Sequence, residues 1–283
     1  MNMKSLGWGL FAIFCWGTLA AAAGTAFRET HPPWVLGGGF AAAALAFGIL
    51  PRLFGLPPAF EPRDARERWR GRLLGLWGLF FFRAFYFEAI RRAPIVEATL
   101  INYLWPLLVV LLAWIVLREP FRPRIAAGAL LGAAGAALVA GGQRAAFEEG
   151  HILGYALALG SAVAWSSYTV LLRKWGGGRA FLLTASVGSV FLSGLWLFAA
   201  GWPDPPPPTA WGAILYLGAV TIGAAILAWE RAVSAGEVAL LGAMAYFAPF
   251  LSAFFLWLIL GERIGLAAAG GMVLIVARGA AAA

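Results

Sequence analysis

Asn102, Tyr103 and Pro106 interrupt INYLWPLLVV (101–110), a segment that is otherwise almost wholly apolar. With Thr99 they fall at i, i+3, i+4 and i+7, which is one face of a continuous helix. Proline has no N–H and clashes with the turn before it, so Pro106 should free a backbone carbonyl near residue 102. A free carbonyl beside an Asn side chain can hold a substrate ammonium. In hydrocarbon, Asn and Thr on that face need hydrogen-bonding partners. MAYFAPFLSA (244–253) repeats the Tyr-x-x-Pro pattern at Tyr246 and Pro249, 143 residues later. Its matching face, Gly242, Ala245, Tyr246 and Pro249, is smaller and less polar, so a site built from both copies is asymmetric. Prolines that only kink packed helices would leave the same pattern.

Arg83 sits in the apolar run 72–92, 11 residues past Arg72. That is roughly 16 Å along a helix and near the middle of a bilayer. A central arginine costs about 2.5–3.5 kcal/mol on insertion scales, so it should face a cavity or a carboxylate. Its planar fork suits a substrate carboxylate, and a structural ion pair with a glutamate suits it equally. Glu88, further along the same run, can pair with Arg91 or Arg92 at i+3 or i+4. Glu230 holds the matching place in a later run, near its inner end, and the two glutamates read as members of opposite gates. Glu97 opens the helix of residue 102, where an acid suits the positive dipole end.

Trp16, Trp165, Tyr168 and Trp229 lie well inside apolar runs, and Tyr86 is a further candidate. Deep aromatics either pack a core or line a pocket that stacks on a ring. Trp8, Trp34, Trp202 and Trp211 lie near run ends and read as interface anchors. The chemistry on offer is recognition rather than bond-making. There is no nucleophile beside a base and no metal-ligand spacing, and neither metal nor cofactor is expected. The single cysteine, Cys15, allows no internal disulfide.

The elements that carry these residues follow from composition. Of 283 residues, 62% are hydrophobic and only 12% are charged; mean hydropathy is +0.82. A soluble domain carries roughly 25% charged residues, so lipid must cover most of this surface. The net charge of +8 is gathered in short gaps between apolar runs, which excludes a nucleic-acid partner. Ten runs are long enough to span, given that about 20 apolar residues are needed. They are approximately 5–26, 33–54, 72–92, 95–117, 123–142, 152–173, 180–201, 210–231, 237–260 and 264–280. The first run, with Lys4 and AAAAG (20–24), also has the make-up of a signal peptide; a full-length partner inside the chain argues against that.

With the N-terminus in the cytoplasm, 15 Lys and Arg lie inside and five outside, which supports ten spans with both ends cytoplasmic. The inner loop 55–71, with its EPRDARERWR charges, should lie along the headgroups. The stretch WPDPPPP (202–208) reads as a stiff outer spacer.

The chain also repeats itself. YLWPLLVVLLAWIVLREPF (103–121) aligns with YFAPFLSAFFLWLILGERI (246–264) at an offset of 143, matching Trp114 to Trp257 and Glu119 to Glu262. Leu6-Gly7 and Trp16 find partners in Leu153-Gly154 and Trp165. The halves are 1–147 and 148–283, five helices each, so the second must enter the membrane inverted. Inverted repeats enclose a midplane site and can expose it to either side.

Ten helices in two inverted halves, Trp16-Gly17, and the block PLLVVLLAWIVLREP (106–120) with its copy PFLSAFFLWLILGER (249–263) resemble the drug/metabolite transporter superfamily, in particular its EamA-type members. NYLWP (102–106) most resembles the YddG-type aromatic amino acid exporters. The resemblance covers the whole chain. It implies a multi-pass bacterial inner-membrane protein that exports small metabolites, with no ATP-hydrolysing subunit. The expected function is export of aromatic and other apolar amino acids by alternating access. Trp16, Arg83, Tyr86, Thr99, Asn102, Tyr103, Trp165, Tyr168, Trp229 and Tyr246 would line the site, with Pro106 and Pro249 as hinges. Export of cationic drugs would ask for an acidic pocket, and a phosphate- or nucleotide-sugar carrier for more than one cavity cation. A membrane enzyme lacks its catalytic groups.

Overall fold

A computed structural model describes residues 2–26, 30–57, 64–140, 145–176 and 179–260. The described residues are helical and form no strand. Eight stretches are long and apolar enough to cross a membrane: Met3–Ala23, Pro32–Leu53, Ala65–Arg92, Ile95–Val116, Glu149–Trp175, Phe181–Ala199, Pro208–Ala235 and Val238–Ile259. The helix Pro123–Val139 is apolar but shorter, at 17 residues. The tenth expected span, 264–280, and Glu262 lie outside the described residues, as do several arginines of the charge count.

The helices are α1 (Met3–Gly17), α2 (Leu19–Ala26), α3 (Pro32–Leu53), α4 (Ala65–Gly75), α5 (Phe82–Arg92), α6 (Ile95–Asn102), α7 (Trp105–Val116), α8 (Pro123–Val139), α9 (Ile152–Trp175), α10 (Arg179–Ala199), α11 (Pro208–Tyr216), α12 (Ala225–Ala235), α13 (Val238–Met244) and α14 (Phe247–Leu260). Local chemistry sets their starts. Asn2 Oδ1 accepts from the Lys4 and Ser5 amides at 3.1 and 3.4 Å, capping α1. Proline occupies the first turn of α3, α8 and α11, where its missing N–H costs nothing. Asp64 caps α4 through the Glu67 amide at 2.7 Å. Residues 65–71, expected along the headgroups, therefore form the opening turns of α4, at the start of the third span. An apolar-run reading sees only the part of a helix that lies in lipid.

Two spans change winding in the same place. Leu76–Phe81 joins α4 to α5, and Leu217–Ala224 joins α11 to α12, as π-helical stretches. Such widened turns recur at functional sites. The span that follows each of these is broken. α6 gives way to α7 at Tyr103–Leu104, and α13 to α14 at Ala245–Tyr246. Each break falls at the Tyr of a Tyr-x-x-Pro pattern.

Large apolar side chains cover the outside; Phe191 is 66% and Phe198 73% exposed, as lipid-facing residues should be. Inside, small residues bring backbones together. A Cβ on Gly218 would meet the Gly39 carbonyl oxygen at 2.2 Å, so α3 and the second π-helical stretch touch almost backbone to backbone. At one end of the bundle, residues far apart in the chain are tied. Glu119 accepts from the Val238 and Ala239 amides at 2.8 and 2.9 Å. Arg122 pairs with Glu237 at 3.1 Å, Ser5 Oγ donates to the Ala232 carbonyl at 2.8 Å, and Arg173 donates to the Ser234 carbonyl.

Candidate functional site

Four tryptophans meet in the interior. Trp16 from α1 lies 5.1 Å, ring centre to ring centre, from Trp229 of α12 and 5.5 Å from Trp165 of α9. Trp105, at the start of α7, stands 6.1 Å from both Trp16 and Trp165 and 6.3 Å from Trp229. Most of these contacts are edge-on, the geometry that ring quadrupoles favour. The N–H groups are used: Trp16 donates to the Thr221 carbonyl at 3.1 Å and Trp229 to Thr169 Oγ1 at 3.2 Å. The Thr221 carbonyl belongs to the second π-helical stretch, so the wider turn serves the ring cluster directly.

Tyr168 and Phe82 extend the cluster, each 5.2 Å from Trp165. Tyr168 is packed against the first π-helical stretch, where a Cβ on Gly78 would fall 2.2 Å from its ring. Only glycine leaves room there. The Tyr168 hydroxyl donates to Glu230 Oε1 at 3.4 Å.

Arg83 is half-buried in α5, one residue from Phe82. Its guanidinium donates to the Leu79 carbonyl at 3.0 Å and lies over the rings of Phe40 and Phe82, at 5.6 and 5.4 Å. Phe40 is fully buried in α3, so Arg83 points into the bundle. It forms no ion pair among the described residues.

The polar residues around the first break divide into small groups. Tyr86 and Thr99 share a hydroxyl–hydroxyl bond of 2.9 Å. Asn102 is buried, and the Ser161 hydroxyl lies 3.0 Å from its Oδ1 and 2.8 Å from the Phe82 carbonyl. Tyr246 donates to the Tyr103 carbonyl at 3.1 Å. The continuous face through Thr99, Asn102, Tyr103 and Pro106 is cut, because the helix stops at Asn102 and Pro106 stands in the first turn of the next one. Pro249 likewise stands in the first turn of α14.

The glutamates part company. Glu88 is bound by Arg91 and Arg92, both at 3.0 Å, at the polar end of a laterally open groove walled by Phe81, Phe85, Leu153 and Leu157. Glu230, expected near the end of its span, is 2% exposed beside Trp229, because that span continues to Ala235. Glu97 stands in the first turn of α6, where an acid was expected, and is buried, accepting from the Ala146 amide at 2.9 Å.

The sequence reading named Trp16, Trp165, Tyr168 and Trp229 and missed Trp105 and Ser161. Trp105 was visible in NYLWP, and Ser161 lies at i relative to Trp165 at i+4 and Tyr168 at i+7.

A model of the EamA-like transporter family matches residues 3–141 and again residues 152–278. The chain belongs to the EamA-like transporter family. As such it is a multi-pass membrane transporter rather than an enzyme. Among relatives of this EamA-like transporter, the aromatic amino acid exporter YddG of Ancylobacter novellus is 33% identical over 259 residues, covering 86% of this chain and 84% of its own. The Salmonella typhimurium protein of the same name is 27% identical, with 66% of each chain covered. The transporter YvbV of Bacillus subtilis is 27% identical over 94% of this chain and 87% of its own. One solved crystal structure superposes with a TM-score of 0.85 at 30% identity, covering 98% of this chain and 97% of that one.

Proposed function

We propose that this transporter exports aromatic and other apolar amino acids across the bacterial inner membrane. It would do so by alternating access, with two inverted five-helix halves (1–147 and 148–283) rocking around the tryptophan cluster and both termini in the cytoplasm. The observation that carries the reading is the four-tryptophan cluster, drawn equally from both halves, with Arg83 nearby and free of a carboxylate among the described residues. Indole faces suit an aromatic side chain, and a guanidinium with no carboxylate paired to it suits the substrate's carboxylate. Tyr86, Thr99, Asn102, Tyr103 and Tyr246 form the polar wall beyond Phe82, and Pro106 and Pro249 begin the segments that move. Glu88 and Glu230 were expected at opposite gates; Glu88 keeps that role here.

Two further observations support the two-half mechanism, and one supports the substrate class. The family model matches twice along the chain. π-helical stretches and helix breaks recur at corresponding places. The names of the relatives from A. novellus and S. typhimurium support the substrate class. The test is uptake of labelled phenylalanine by liposomes holding the purified protein. Saturable uptake competed by tryptophan and tyrosine is expected. Absence of uptake from a preparation that carries another metabolite would refute the substrate class.

A further inference from the structure

Glu88 and Glu230 stand in α5 and α12, the helices that follow the two π-helical stretches, one residue out of register at the repeat offset of 143, and their surroundings are opposite. Glu88 has arginines at i+3 and i+4 and binds both. Glu230 has Val233 and Ser234 at those positions. The adjacent cation, Arg231, turns its guanidinium to the carbonyls of Leu227 and Pro57 at 3.2 and 2.8 Å. Among the described residues Glu230 makes no ion pair, and one long bond from Tyr168, 3.4 Å, is the hydrogen bond it receives. The nearby Thr169 hydroxyl is engaged by Trp229. A carboxylate buried without a directly bonded cation is costly; Glu230 has Arg231 beside it in the chain but forms no ion pair with it, whereas Glu88 binds two arginines.

We infer that Glu230 is the subsite for the substrate's ammonium group. This inference rests on the proposed transport of amino acids and specifies their chemical form. The surroundings fit an ammonium in a second way. Trp229, the next residue back, and Trp16, 5.1 Å from it, present ring systems that attract cations. Trp165 lies between the two charges: Phe82, over which Arg83 lies, packs on it, and so does Tyr168, which donates to Glu230. A zwitterion joins them, its carboxylate at Arg83, its ammonium at Glu230 and its side chain among the tryptophans. The expected substrates therefore carry a free α-ammonium. Analogues without it lose the Glu230 contact.

The test is equilibrium binding to the purified full chain of phenylalanine, phenethylamine, which lacks the carboxylate, and 3-phenylpropionate, which lacks the ammonium. Wild type and Glu230→Gln are compared, with Glu230→Asp as the conservative variant and thermal unfolding as the check on folding. Glu230→Gln should weaken phenylalanine and phenethylamine by about tenfold or more, the scale of a charge-assisted hydrogen bond. It should leave 3-phenylpropionate within about twofold, and Glu230→Asp should recover part of the loss. Equal weakening of all three ligands, or no weakening of the two ammonium compounds, overturns the subsite. Wild-type binding of phenethylamine but not phenylalanine, with the Glu230→Gln loss retained, refutes the amino acid reading and upholds the subsite. Wild-type binding of 3-phenylpropionate alone overturns the subsite.

Discussion

Tyr246 Oη donates to the backbone carbonyl of Tyr103 at 3.1 Å. The two residues hold the same place in the two Tyr-x-x-Pro patterns, 143 positions apart, so the broken helices are bonded to each other where both are broken. The break between α6 and α7 leaves carbonyls of the turn before it without a helical donor, and in hydrocarbon they need other donors. The bond from Tyr246 meets one of them. Tyr246 itself is 1% exposed and lies against α8, where a Cβ on Gly132 would fall 2.7 Å from its ring.

Tyr246→Phe should therefore lower stability by roughly 0.5–2 kcal/mol, the range for a hydrogen bond inside a membrane bundle. Thermal unfolding in detergent checks it: the midpoint falls, and Tyr103→Phe, which keeps the accepting carbonyl, leaves it near wild type.

Gly78→Ala should be far more damaging. Its Cβ would stand 2.2 Å from the Tyr168 ring, so α9 or the π-helical stretch must move and the ring cluster with it. Gly7→Ala is the control, since nothing lies within 4 Å of a Cβ there, and alanine is favoured over glycine in a helix by about 1 kcal/mol. The expected result is a large fall in folded yield and unfolding midpoint for the first and none for the second.

How far these features could be read from the chain differs from one to another. Both helix breaks were legible, because proline after a polar residue is rare in an apolar run and occurs twice at one offset. Three of the four tryptophans were legible from depth alone. The π-helical stretches left no mark, since LWGLFF and LGAVTIGA (76–81 and 217–224) contain no proline and no charge. An extra residue in a turn is set by what packs against it, here Tyr168 and α3. Glu230 was misplaced for a related reason: a hydropathy window closes at a Glu-Arg pair, while the helix goes on to Ala235.

The ties from the segment between α7 and α8 to the start of α13 differ in strength. Glu119 satisfies two backbone amides, whereas Arg122, 57% exposed, makes one partly solvated ion pair with Glu237. Loss of a helix-end cap costs about 1 kcal/mol, and an exposed ion pair typically 0.2–1 kcal/mol. Glu119→Ala should reduce the unfolding midpoint more than Arg122→Ala, and it should increase thiol labelling of a cysteine placed at Val238.

Arg83→Ala should raise the KM for phenylalanine by about tenfold or more, the scale of a lost charge-assisted bond. Competition by phenethylamine, which has no carboxylate, should be little changed. An equal loss for both ligands would mean that Arg83 only supports Phe40 and Phe82.

Trp229→Phe removes the bond to Thr169 but keeps a ring, and Trp229→Ala removes both. Uptake of phenylalanine should survive the first with a KM within a fewfold of wild type and fail in the second, as expected where a ring face worth about 0.5–1.5 kcal/mol beyond its buried area is lost.

The central claim is that one aromatic amino acid site is exposed alternately to the two sides. Counterflow tests it most directly. Liposomes holding the protein are loaded with unlabelled phenylalanine, diluted into a trace of labelled phenylalanine, and followed in time. The account predicts a transient accumulation of label above its equilibrium level, abolished by Trp229→Ala. A monotonic approach to equilibrium in the wild type would contradict it.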